Sequence, residues 1–220
     1  MSLSRTRSGR LHAVGSDEAP STQEMSREDA VNNFSLHPLT LESIEGMTRV
    51  HNEGFGGKVC CLCCPVADTD GSIRRYYQQH PERLPMCALA VDKHGTPLGY
   101  VQLAIHPMND KDGLHTTKPG ETYVEAISVA AAARGMGIGK LLLQWAEDKS
   151  REQKSTLLTL TVLNGNPARR LYERFGFEAK PPTDPCEECI GSCVVCCIMG
   201  RPYGLCDPHC GAVDMQKTLV

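Results

Sequence analysis

Arg134-Gly135-Met136-Gly137-Ile138-Gly139-Lys140 places three glycines in five positions between a strand-like run and a stretch with helical periodicity. Residues without a Cβ let the backbone approach a ligand closely and turn several N–H groups toward one point. The stretch that follows carries Ile138, Leu141, Leu142, Trp145 and Ala146 at i, i+3, i+4, i+7, i+8 spacing, one apolar face of a helix. Its N-terminus adds the positive end of a helix dipole at the same place. The segment therefore predicts a strand–turn–helix unit that cradles a pyrophosphate or another polyanion.

The spacing discriminates among phosphate-binding motifs. A dinucleotide fingerprint needs G-x-G-x-x-G with an acid further on, and this turn reads G-x-G-x-G. A P-loop needs four residues between its glycines and Ser or Thr after the lysine, whereas Leu141 follows Lys140. The remaining pattern, R-x-x-G-x-G at Arg134, Gly137 and Gly139, leaves open a glycine-rich turn with no ligand.

Residues 1–33 are polar and aperiodic, the composition of a disordered tail. Residues 34–220 read as a single domain, a size suited to one hydrophobic core. A first strand over 34–39 precedes helical spacing at Leu41, Ile44, Met47 and His51, ended by Gly54, Gly56 and Gly57. A short helix from Ile73 to His80 follows, then strands 88–92 and 98–105 joined by the turn His94-Gly95-Thr96-Pro97. Strand 122–129 leads into the glycine turn. Residues 157–163 are a nearly continuous apolar run, expected for a central strand buried on both faces. Asn166-Pro167 reads as an N-cap with proline at the first helical position, and Ala168, Leu171, Tyr172 and Phe175 as one helical face closed by Gly176. Strands over 177–180 and 213–219 end the chain, separated by a long Pro- and Cys-rich loop at 181–211.

The segment Asn164-Gly165-Asn166-Pro167-Ala168-Arg169-Arg170-Leu171-Tyr172-Glu173-Arg174-Phe175-Gly176-Phe177 follows the central strand. Paired with the glycine turn, it resembles the GCN5-related N-acetyltransferase (GNAT) superfamily, over roughly residues 34–180 and again at the final strand. The resemblance implies an α/β (α+β) fold with a mixed, mostly antiparallel central sheet, helices on both faces and a V-shaped splay between the two central strands. It implies acetyl-CoA as cosubstrate in that wedge. The amides of Arg134, Gly135, Met136, Gly137, Ile138, Gly139 and Lys140 would hold the pyrophosphate. Backbone groups of Ile127, Ser128 and Val129 would pair with the pantetheine arm, flanked by Asn166 and Ala168. The implied activity is N-acetyl transfer to a primary amine (a protein N-terminus, a lysine or a small molecule) by direct attack in a ternary complex. The contrasting reading is a module that binds CoA, or a metal through cysteines, without turnover.

Acetyl transfer needs a neutral nucleophile and a proton for the departing thiolate. A phenol near the sulfur suits the second task. The motif assigns Tyr172 to it, against its reading as a core aromatic of the stripe. Glu125, an acid in the apolar strand Tyr123-Val124-Glu125-Ala126-Ile127, is the candidate base, against a solvent-facing acid. Glu121, His106 and His115 are the weaker candidates, read as loop residues.

The twelve cysteines are not explained by the resemblance. Eleven of them cluster at about 58–66 (Cys60, Cys61, Cys63, Cys64) and in the late loop (Cys186, Cys189, Cys193, Cys196, Cys197, Cys206, Cys210). Zinc held by Cys186, Cys189, Cys193 and Cys196 is one reading. S-acylation around Cys193–Cys197, giving peripheral membrane attachment, is a second. Thiols that are plain or redox-responsive are the third. The near balance of 23 basic and 26 acidic residues lacks the basic stripe of a nucleic-acid binder. No apolar run approaches the roughly 20 residues of a membrane span. A cytoplasmic protein is expected, with an organelle transit role for the Arg5–Arg10 tail left open.

Overall fold

A computed structural model describes residues 34–55, 57–58, 65–66, 68–108, 115–181 and 212–219. The cysteine clusters and the late loop lie outside these residues. The strands are β1 (Phe34–Pro38), β2 (Gly57–Lys58), β3 (Pro65–Val66), β4 (Cys87–Asp92), β5 (Pro97–Ile105), β6 (Glu121–Val129), β7 (Leu157–Leu163), β8 (Glu178–Ala179) and β9 (Ala212–Thr218). The helices are α1 (Ile44–Phe55), α2 (Asp70–Gln79), α3 (Ile138–Glu152) and α4 (Arg169–Arg174), with short 3₁₀ turns between elements. Seven strands form one open sheet in the order β1-β4-β5-β6-β7-β9-β8, and β2 pairs with β3 separately. Every neighbouring pair in the large sheet is antiparallel except β6–β7.

The hairpin between β4 and β5 closes as its sequence predicts. Gly95, at φ +78°, gives its amide to Asp92 O, and the Asp92 carboxylate accepts from the amides of His94 and Thr96. Helix α2 starts at Asp70, earlier than the apolar pattern indicates. The reason is a reciprocal cap: Ser72 N donates to Thr69 Oγ1 at 3.1 Å, and Thr69 N to Ser72 Oγ at 3.1 Å.

Helices cover both faces of the sheet. On one, Ser128 Oγ of β6 donates to Val50 O of α1, and Tyr100 of β5 meets His51. On the other, a Cβ added to Gly99 of β5 would lie 2.9 Å from Ile138 of α3. Gly54 does not end α1; it lies inside it, where a Cβ would meet Ser128 Oγ at 2.1 Å. Its role is close helix–sheet approach. The buried face of α3 also differs from the expected stripe. Ile138, Leu142, Leu143, Ala146, Glu147 and Ser150 are buried, whereas Leu141 and Trp145 are half-buried. Glu147 is tolerated there because Lys217 of β9 and Arg151 donate to it at 2.6 and 2.8 Å.

Candidate active site

Strands β6 and β7 pair through only four register positions, from Glu121↔Leu157 to Val124↔Leu160. Among the described residues, β7 beyond them pairs only with β9, and the edge of Glu125–Val129 that faces away from β5 has no strand partner. A wedge therefore opens toward the C-terminal ends of the two strands. Thr161, just inside it, is exposed, which corrects the expectation of a strand buried throughout on both faces. The bend has a local cause. Between Gln102 and Leu103 the β5–β6 register skips Glu125, so Glu125 is the extra residue of a β-bulge. Bulges bend the strand and re-aim a side chain.

The glycine turn stands at the mouth of this wedge. Gly135 and Gly137 have φ of +81° and +80°, a region costly for residues with a Cβ. Gly137 caps α3, and the first helical amide bond runs from Leu141 N to Gly137 O at 3.1 Å. The amides before it have no acceptor within the helix, as at any helix start. Arg134, Gly135, Met136 and Lys140 are exposed, and Ile138 is buried as the anchor. Gly139 serves packing instead: a Cβ there would meet Leu171 of α4 at 2.9 Å. Arg134 Nε donates to Val129 O at 3.2 Å, tying the turn to the open edge of β6.

Asn166 is not the N-cap expected of it: helix α4 begins at Arg169 with Ala168 at the cap position, and Asn166 forms a turn just before it. Its Oδ1 accepts from Ala168 N at 2.9 Å, and its carbonyl accepts from Arg169 N. Tyr172 is buried and meets Phe177 edge-on at 6.1 Å. Glu125 is partly buried on the α1–α2 face. Its Oε2 accepts from Arg83 Nη1 at 2.5 Å and from Gln102 Nε2 at 2.8 Å.

The weaker base candidates are held elsewhere. Glu121 is no loop residue; it opens β6 and is buried. It accepts from Thr159 Oγ1 at 2.6 Å and Lys118 N at 2.9 Å, with His115 Nε2 at 2.9 Å. Burial would raise its pKa, but these hydrogen bonds and His115 outweigh it and hold the carboxyl below its ordinary value. His115 stacks on Tyr123, and His106 Nδ1 lies 3.2 Å from Thr117 O.

Sequence reasoning missed the partners of Glu125. Arg83 lies in the short segment between Pro81 and Pro85, and Gln102 in an apolar strand, with no local pattern that points to Glu125. Tyr77 donates to Gln102 Oε1 at 2.7 Å, and its Oη lies 3.3 Å from Cys87 Sγ. Burial pushes the Cys87 thiol up to about 12, which makes it inert. A cleft of about 260 Å³ adjoins this network, lined by His51, Asp68, Tyr76, Tyr77 and Gln102 among others. No group of three or more His, Cys, Asp or Glu side chains suited to a metal occurs among the described residues. None of the described helices is long and apolar enough to cross a membrane.

The geometry fits an extended, phosphate-bearing ligand. The turn and the α3 N-terminus suit a pyrophosphate. The open edge of β6 suits an amide-bearing arm lying beside it as a strand would. A mixed sheet splayed at its parallel pair, with a glycine-capped helix at the splay, defines a class of proteins that take such a ligand between two strands. Residues 59–177, over half of the chain, match the profile of the Acetyltransferase (GNAT) family, and the chain belongs to that family. It is 32% identical over 111 residues to an uncharacterised N-acetyltransferase of Schizosaccharomyces pombe, covering 50% of this chain and 60% of that protein. It is 46% identical over 55 residues to streptothricin acetyltransferase of Streptomyces lavendulae, covering 24% and 29%. The matches thus span less than two thirds of these relatives. Among solved structures, Naa20 of Chaetomium thermophilum with a bisubstrate analogue aligns at TM-score 0.56 and 19% identity, over 84% of this chain and 86% of that one. The yncA protein of Salmonella typhimurium with its cofactor acetyl-CoA aligns at TM-score 0.56 and 14% identity, over 85% and 94%. These structural likenesses establish the fold.

Proposed function

We propose that this protein is an acetyl-CoA-dependent N-acetyltransferase whose acceptor is a primary amine on a protein N-terminus, a lysine or a small molecule. The observation that carries the reading is the coincidence of three features at one splay: the glycine-capped α3 N-terminus, the unpartnered edge of β6, and an acidic bulge residue beside it. The amides of residues 134–140 bind the pyrophosphate, Ile127–Val129 pair with the pantetheine arm, and Asn166 and Ala168 flank it. Acetyl-CoA supplies an activated thioester.

The chain's residues then manage protons. Glu125 accepts a proton from the amine as the nitrogen bonds to the acetyl carbon and the carbon–sulfur bond breaks. Tyr172 gives its phenolic proton to the departing thiolate and recovers one from solvent, so that CoA thiol and the amide are the products. The family membership and the acetyl-CoA bound to the yncA protein support the cosubstrate.

The test is release of CoA thiol from acetyl-CoA with a peptide bearing a free N-terminus, with free lysine and with a diamine. Amine-dependent release is the expected result. Tight CoA binding without release on any of the three overturns the reading in favour of a binding module.

A further inference from the structure

Arg83 is among the largest fully buried side chains in the protein, 2% exposed, and the chemistry above leaves it unused. Arginine is rarely so buried unless paired. It lies in the 3₁₀ turn Pro81–Met86 between α2 and β4. Nη1 donates to Glu125 Oε2 at 2.5 Å, and Nη2 to Met108 O at 3.1 Å. Gln102 Nε2 donates to the same Oε2 at 2.8 Å, and its amide is oriented by the Tyr77 hydroxyl on Oε1.

An arginine that only staples two elements together gains most from two parallel hydrogen bonds to the carboxylate. That is not the arrangement here. Two donors converge on one oxygen, the second guanidinium nitrogen turns to a carbonyl, and Glu125 Oε1 accepts from none of the described residues. The Glu125 side chain keeps 19% of its surface exposed, at the bulge where the wedge opens.

We propose that Arg83 is the positioning residue for Glu125: with Gln102 it pins Oε2, so that Oε1 is presented to the acceptor amine as a fixed anion. This rests on the acetyltransferase reading of Glu125. Oε1 attracts the arriving ammonium and takes its proton. The neutral acid so formed loses its charge–charge attraction to the buried guanidinium beside it, an unfavourable change. The proton therefore passes on to water and the carboxylate is restored.

Other titratable groups on this face do not compete. Cys87 of β4 stays a thiol, and the phenols of Tyr77 on α2, Tyr100 on β5 and Tyr123 on β6 are all raised by burial. His51 of α1 is held low by burial, against the pull of Asp68.

The experiment measures kcat and KM against pH for wild type, R83Q, R83K, Q102L and E125Q, using acetyl-CoA with whichever of the three amine probes wild type acetylates. R83Q is expected to lower kcat by about 10- to 100-fold, part of the roughly 10²- to 10⁴-fold that acid–base assistance supplies, with KM for acetyl-CoA kept within about twofold. Removing a positive charge beside a carboxylate favours its neutral form. The acid limb of kcat in R83Q moves up accordingly, whereas R83K keeps it in place. In the E125Q background R83Q costs little further activity. Q102L carries the test should R83Q not fold, and moves the limb in the same direction by less. An active wild type with wild-type limbs in R83Q and Q102L overturns this inference alone. An inactive wild type overturns it together with the acetyltransferase reading.

Discussion

Tyr123 of β6 donates a hydrogen bond to Thr161 of β7 across 3.2 Å, one residue past the last paired position of β7. Thr161 in turn donates to Asp214 Oδ1 of β9 at 2.6 Å. This relay crosses three strands at the root of the wedge, where β6 and β7 part. Tyr123→Phe should lower stability by about 0.5–1.5 kcal/mol, the net value of a typical hydrogen bond. Denaturant melts check this, and an unchanged midpoint contradicts the relay.

The glycine turn makes a prediction that separates two glycines. Gly137→Ala forces a Cβ into positive φ, at a cost of about 1–2 kcal/mol. CoA affinity should fall by roughly tenfold or more, because 1.4 kcal/mol is tenfold in an equilibrium constant. Gly139→Ala keeps an ordinary φ, meets the ends of the Leu171 and Val129 side chains, and should change affinity much less. Calorimetric titration with CoA distinguishes them, and equal affinities would sink the distinction.

Tyr172→Phe keeps the ring that packs on Phe177 and removes only the hydroxyl. Turnover should fall by about 10²- to 10⁴-fold while acetyl-CoA affinity holds within about twofold. A variant as active as wild type would remove Tyr172 from the chemistry and leave it a core aromatic.

Glu121 provides the pH prediction. Its folded pKa lies below the ordinary value of 4.5, so its contribution to stability is present above about that pH. That contribution is lost as pH falls through the lower folded value. Glu121→Gln should destabilise the protein at neutral pH by about 1–3 kcal/mol, since Thr159, Lys118 and His115 lose a charged acceptor. It should also flatten the acid side of a stability–pH curve measured by thermal melts.

Much of the fold is local and was legible in the residues. The turn at Gly95, the strands on either side of it and the helix after Gly137 follow from φ requirements and apolar periodicity that neighbours cannot easily override. Boundaries were less so. The Thr69–Ser72 cap extends α2 backward, and Gly54 reads as a stop because a glycine needed for close packing looks the same in sequence as one that ends a helix. The rotated face of α3 has a similar cause. Glu147 is polar in sequence and buried in the fold only because Lys217 arrives from β9, 70 residues away.

The candidate site divides along the same line. The glycine turn, Asn166, Tyr172 and Glu125 lie in two short contiguous segments, and the sequence by itself determined their spacing and therefore the family they resemble. Only the tertiary structure decided what Glu125 and Glu121 each do. Both are acids of one strand, four residues apart, and nothing local separates them. The bulge in the β5–β6 register aims Glu125 onto the face where Arg83, 42 residues away, and Gln102 hold one of its oxygens. Glu121, at the closed end of the wedge, is saturated by donors from β7 and the preceding loop. Register and long-range pairing are properties of the packed sheet, and no window of sequence contains them.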